Sequence, residues 1–129
     1  MREAPGDPGL DGGFRIEEDR PAPATAVLAV YGEADLHSAP ELRERLRAAI
    51  DGGATNVVLD LSEASFVDST SLGVLLGAMK RLHEQDGHIQ LVVSRAELRR
   101  IFEITLLDRI FPLHETRDGA LAAVSNGSV

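Results

Sequence analysis

Short runs of apolar residues alternate along the chain with longer stretches in which apolar residues recur every three or four positions. Phe14 to Glu18, with Phe14 and Ile16 on one side, and Ala26 to Tyr31, with Val27, Leu28 and Val30, are predicted strands close enough to pair as antiparallel neighbours. Asp19 to Thr25 carries Pro21 and Pro23 and reads as a connection between them. Gly32 to His37 reads as a loop. Ser38 and Glu41 then form an S-x-x-E capping box, with Pro40 in the first turn, and Leu42, Leu46, Ala49 and Ile50 lay one helical face before Gly52 and Gly53 stop it. Asn56 to Leu61 is apolar on both sides through Val57, Val58 and Leu59, the pattern of a strand covered on both faces. After a turn over Ser65 to Ser71, Leu72, Leu75, Leu76, Met79 and Leu82 mark the inner stripe of a second helix, which Gly87 ends. Ile89 to Val93 is the next buried strand. A second capping box, Ser94 with Glu97, opens a helix with Leu98, Ile101 and Phe102 inside. Arg109 to Leu113 is predicted as an edge strand limited by Pro112, and Thr116 caps a closing helix with Leu121 and Val124.

This order of elements predicts an α/β fold: a single small mixed sheet of four or five mostly parallel strands, joined by crossover helices, about four helices in all. With 129 residues and 43% hydrophobic composition, one core is expected. It spans 14–124, between a Gly-, Pro- and Asp-rich flexible leader over 1–13 and a short flexible tail over 125–129. No apolar run approaches the roughly 20 residues of a spanning helix, and Met1 to Gly13 lacks the pattern of a signal peptide. Cysteine is absent, which removes thiolate chemistry and disulfides and leads us to expect a cytoplasmic protein. A net charge of −8 argues against a nucleic-acid partner; the most basic cluster, Arg95 with Arg99 and Arg100, is balanced by Glu97 and Glu103.

Chemistry concentrates where the strand period gives way to the helical one. Asp68, Ser69, Thr70 and Ser71 set three hydroxyls beside a carboxylate at the start of a helix, where unpaired amides suit either capping or a phosphate. Catalysis finds no partners for them. The G-x-S-x-G elbow is missing, and His37, His83, His88 and His114 are scattered singly. No phosphate-cradling loop occurs, since Gly73 and Gly77 lie within the helix, and the acidic pair of a receiver domain is absent, which leaves Asp60 as a strand-end polar residue. No catalytic residue, metal site or cofactor is therefore expected. Gly73, Val74 and Gly77 fall to the side of the apolar stripe. They serve either close packing of the helix on the sheet or a smooth surface on which another protein can sit.

Three blocks carry a resemblance: Leu28 to Asp35 (Leu-Ala-Val-Tyr-Gly-Glu-Ala-Asp) with Ser38-Ala39, Val57-Val58-Leu59-Asp60-Leu61, and Phe66-Val67-Asp68-Ser69-Thr70-Ser71-Leu72-Gly73. From about Phe14 to Val124 the chain resembles the STAS family of anti-sigma factor antagonists. The resemblance implies a small mixed sheet with helices packed largely on one side. It also implies a non-enzymatic partner switch: the unphosphorylated antagonist binds an anti-sigma factor serine kinase and releases the sigma factor, phosphorylation of Ser69 ends that binding, and a serine phosphatase resets it. Thr70 is the second choice of phosphosite, and Asp35 is implied to lie near the switch. The partner surface then comprises Asp35, Asp68, Ser69, Thr70, Ser71, Gly73, Val74 and Gly77, with Ser71 as the helix cap. Within the same family, the alternative is a regulatory subunit of a stress-sensing complex or of a lipid or solute transport system. A small nucleotide-binding domain or enzyme is the more distant reading. Ser71 and Leu106 stand where the family usually has glycine.

Overall fold

The computed structural model describes residues 13–125, so the expected leader and tail lie, but for their innermost residues, outside the described residues. Strands β1 (Arg15–Ala22), β2 (Thr25–Ala34), β3 (Asn56–Val67), β4 (His88–Val92) and β5 (Leu113–His114) form one sheet in sequence order. β1 is antiparallel to β2, and every other neighbour pair is parallel. Helix α1 (Ala39–Asp51) connects β2 to β3, α2 (Ser69–His83) connects β3 to β4, and α3 (Ala96–Ile104) with a 3₁₀ turn (Leu107–Arg109) connects β4 to β5. Strands laid down successively in one direction, joined by right-handed crossovers, put all their helices on the same face. One core accordingly lies between that face and α1, α2 and α3, through Leu28, Leu59, Leu91, Leu46, Leu75 and Phe102. The closing helix α4 (Arg117–Ser125) ends no crossover and covers the opposite face, over Val27, Val58 and Val92.

Several boundaries differ from the sequence pattern, each for a physical reason. β1 runs through Pro21 to Ala22, because an edge strand loses nothing when a solvent-side amide is missing; a bulge between Asp19 and Ala22 takes up the irregularity. β2 and β3 both extend past their apolar runs, to Ala34 and Val67, held by mutual pairing that includes Gly32↔Ala64 and Ala34↔Val67. Neither expected capping box forms. Ser38 and Arg95 occupy the N-cap positions of α1 and α3 without a side-chain cap bond. The stripe of α2 is rotated from expectation: Leu72, Leu75 and Leu82 are buried with Val74 and Ala78, while Leu76 and Met79 are only partly covered. The expected strand over Arg109 to Leu113 is instead the 3₁₀ turn and a two-residue strand. Thr116 does cap α4, its Oγ1 accepting from Gly119 N at 3.0 Å. The turn after α3 closes with Leu106 at φ 62°, ψ 16°, the left-handed region in which a side chain is strained and glycine is at ease. Gly87 ends the α2 turn for a different reason: a Cβ there would run into Thr55 O.

Candidate functional site

The parallel strands β2 and β3 end side by side; β2 leads through the loop from Asp35 to Ser38, and β3 through Asp68 alone, into the N-terminus of a helix. An aspartate closes each of the two junctions. Asp35 Oδ1 accepts from His37 N at 3.0 Å and Ser38 N at 3.1 Å, and Asp35 O accepts from Ala39 N at 2.8 Å. Ser38, buried, is the brace of this loop and not its cap: its Oγ donates to Glu33 O at 2.7 Å and accepts from Asp35 N at 2.9 Å. The Ser38 amide bond is the main reason that Asp35 stays ionised below the usual carboxylate range, with burial working against it. At the second junction Asp68 Oδ1 accepts from Ser71 N at 2.9 Å, while Asp68 N donates to Ala34 O at 3.0 Å and so ties the two junctions together. Asp35 and Asp68 therefore stand at neighbouring strand ends, each at the positive end of a helix dipole.

Of the three hydroxyls, Ser69 and Thr70 are exposed on the first turn of α2, and exposure does not separate them. Ser71 is corrected on both counts on which the sequence placed it. It is neither the cap nor part of the surface: it is 0% exposed, and its Oγ lacks a hydrogen-bond partner. Its φ is not positive, so a glycine at this position would answer a need for space and not for backbone freedom. Gly73 and Gly77 are exposed, one and two turns beyond Ser69, and a Cβ at either would meet nothing within 4 Å. Close packing on the sheet therefore does not explain them. Val74 is buried, at 6% exposure, and lies on the floor of a groove between α1 and α2 instead of on the outer surface.

Two residues of this end of the sheet escaped the sequence reading. Leu36, 65% exposed, follows Asp35, and Phe66, 46% exposed, pairs with Glu33 two residues before Asp68. A lone apolar residue in a loop and another in an assumed turn break no period, so their exposure becomes visible only once the strands are placed. Among the described residues no cluster of His, Cys, Asp or Glu is arranged to hold a metal ion, and no helix is long and apolar enough to cross a membrane.

Comparison with known proteins fits this arrangement of sheet and crossovers. The STAS domain family model matches residues 17–120, and the chain belongs to that family. The anti-sigma-B factor antagonist of Bacillus subtilis (strain 168) is 36% identical over 92 residues, which cover 71% of this chain and 84% of that protein. The crystal structure of an anti-sigma factor antagonist from Mycobacterium paratuberculosis superimposes with a TM-score of 0.75 at 31% identity, covering 87% of this chain and 92% of that one. The unphosphorylated anti-sigma factor antagonist SpoIIAA shares the fold at a TM-score of 0.76 and 24% identity, with 87% and 97% of the two chains covered.

Proposed function

We propose that the chain is a cytoplasmic, non-enzymatic anti-sigma factor antagonist whose unphosphorylated form binds an anti-sigma factor serine kinase and frees the sigma factor. Phosphate on Ser69 ends the binding, and a serine phosphatase restores it. The observation that carries this reading is the β3–α2 junction: an exposed serine at the first helical position, beside a carboxylate already engaged as the cap. Two relatives named as anti-sigma factor antagonists, each above 30% identity, support the same reading.

The physics of the switch follows from that position. Phosphate adds about −1.5 to −2 charges. At the N-terminus of α2 these meet the positive end of the helix dipole and the amides of Ser69 and Thr70, which Asp68 leaves open, so the modified chain has no reason to unfold. In a complex the same dianion would be desolvated next to Asp68. A desolvated, unpaired charge at an interface costs about 2–5 kcal/mol, roughly 30-fold to several-thousand-fold in affinity. Binding is then lost without any change of fold. Exposed Leu36 and Phe66 supply apolar contact at the same end of the sheet, with Asp35 orienting the partner.

The test is to incubate the chain with each serine-kinase anti-sigma factor of its source organism and ATP, then to locate the modification by mass spectrometry. One phosphate on Ser69, none on Ser69→Ala, and a complex that dissociates on modification are expected. Phosphate on Thr70 alone would move the switch by one residue. Absence of binding and of modification with every kinase would overturn the function.

A further inference from the structure

We infer that the groove between α1 and α2 takes an acidic amphipathic helix from the partner. Leu46 and Ile50 of α1 and Val74 and Ala78 of α2 make an apolar floor, each largely buried yet open to a cavity of about 220 Å³. That volume is below the roughly 300–1,000 Å³ of small-molecule and cofactor pockets. It suits a few apolar side chains inserted from outside, the way an amphipathic helix anchors in a groove through residues spaced i and i+4.

The rim decides the charge of the occupant. Arg43, Arg47 and Arg81 stand around the floor. Arg47 is paired with Glu44 at 2.6 Å and with Asp51 at 3.5 Å, and Arg81 with the same Asp51, whereas Arg43 has no ion-pair partner among the described residues. Three guanidiniums against two carboxylates leave a cationic rim on a chain whose net charge is −8. An incoming helix with carboxylates flanking its apolar stripe complements both the floor and the rim, and a basic helix is repelled. Gly73 and Gly77 lie along one wall, where a Cβ would touch nothing in this chain, so the wall is low enough for a foreign backbone to come close. The groove begins one turn beyond Ser69 and thus continues the proposed switch surface.

The inference rests on the proposed function only for which protein carries the helix. Because the chain has no cysteine, Gly77→Cys provides a single thiol for a benzophenone cross-linker in the otherwise intact protein. Irradiated with the kinase that modifies Ser69, the labelled chain is expected to link to an acidic amphipathic helix of that kinase, identified by peptide mapping. A link to a basic or non-helical segment, or none although the wild-type chain is phosphorylated, overturns the groove and leaves the antagonist function standing. Should every kinase fail, the proposed function falls, and two synthetic helices of identical apolar pattern, one flanked by Glu and one by Lys, still decide the groove by fluorescence anisotropy. The Glu helix is expected to bind about tenfold or more tightly than its Lys twin and to lose that advantage on R43E/R47E. Equal affinities, or no saturable binding of the Glu helix, overturn the inference.

Discussion

Ser71 shows what one buried oxygen can cost a helix start. Its Oγ is buried without a partner on the first turn of a helix whose cap is the neighbouring Asp68. An unsatisfied buried hydroxyl costs about 1–3 kcal/mol, and alanine is also the better helix former. Ser71→Ala is therefore expected to raise stability by about 1 kcal/mol, seen as an increase of roughly 3–5 °C in Tm. Asp68→Ala has the opposite sign, because it removes the acceptor for Ser71 N, and should lower stability by about 1 kcal/mol in urea unfolding. The pair also shows what sequence reading of the site can and cannot do. Hydroxyls beside a carboxylate at a change of period identify the turn, since every candidate residue type favours a helix start. Which oxygen accepts, which hydroxyl is buried and which two remain outside depend on the pitch at which β3 enters α2, and no spacing rule contains that angle. The same gap explains Ser38: as a capping-box serine it was expected to close α1, yet its Oγ is engaged with Glu33 O and Asp35 N, and α1 starts without a side-chain cap.

Among elements, α2 carries two glycines, Gly73 and Gly77, within its span. Gly73 and Gly77 weaken a helix by about 1 kcal/mol each relative to alanine, and nothing in the chain occupies the space a Cβ would need. Gly73→Ala and Gly77→Ala should each stabilise the protein by up to about 1 kcal/mol in chemical denaturation. Helix α4 packs on the opposite face of the sheet. It covers a small apolar cluster and is anchored by Arg117, whose Nε donates to the largely buried Asp60 Oδ2 at 3.0 Å. Arg117→Ala leaves that carboxylate with the Ser62 amide alone and should cost about 1–3 kcal/mol, with faster amide exchange in α4 than in α1 to α3 as the check. The order of strands and helices was legible because β3 and β4 are apolar on both faces and the helices carry their stripes at regular spacing. Strand ends were not. Beyond Tyr31 and Leu61 the residues of β2 and β3 have no apolar run, and only their pairing with each other makes them extended. Leu106 defeats sequence reading in the same way: its left-handed conformation is imposed by the packing of the α3–β5 connection against its own preference.

At the scale of the molecule, the two faces of the sheet respond to pH differently. On the α4 face, His114 lies against Gln90, Nε2 to Oε1 at 2.6 Å, and burial pushes its pKa below 6.5. On the rim of the opposite face, Asp35 is held below 3.8, first by the Ser38 amide. For His114 the unfolded chain takes up its proton near pH 6.5 while the folded one still resists, so the unfolded state binds more protons and stability falls as pH drops through 6.5, levelling once the folded histidine also protonates. For Asp35 the stabilisation is complete above 3.8 and disappears as pH falls through the lower, folded value. Lowering pH from 7 should thus first loosen the β5–α4 side and only later the β2–α1 junction. Urea midpoints of wild type and His114→Gln measured from pH 7.5 down to about pH 3 separate the two. The variant keeps an N–H donor toward Gln90 and cannot titrate, so its midpoint should decline less than that of wild type across pH 7 to 5, and the two should fall in parallel once Asp35 titrates. Parallel curves throughout would mean that His114 is as free to take a proton folded as unfolded, and that the α4 face adds nothing to acid sensitivity.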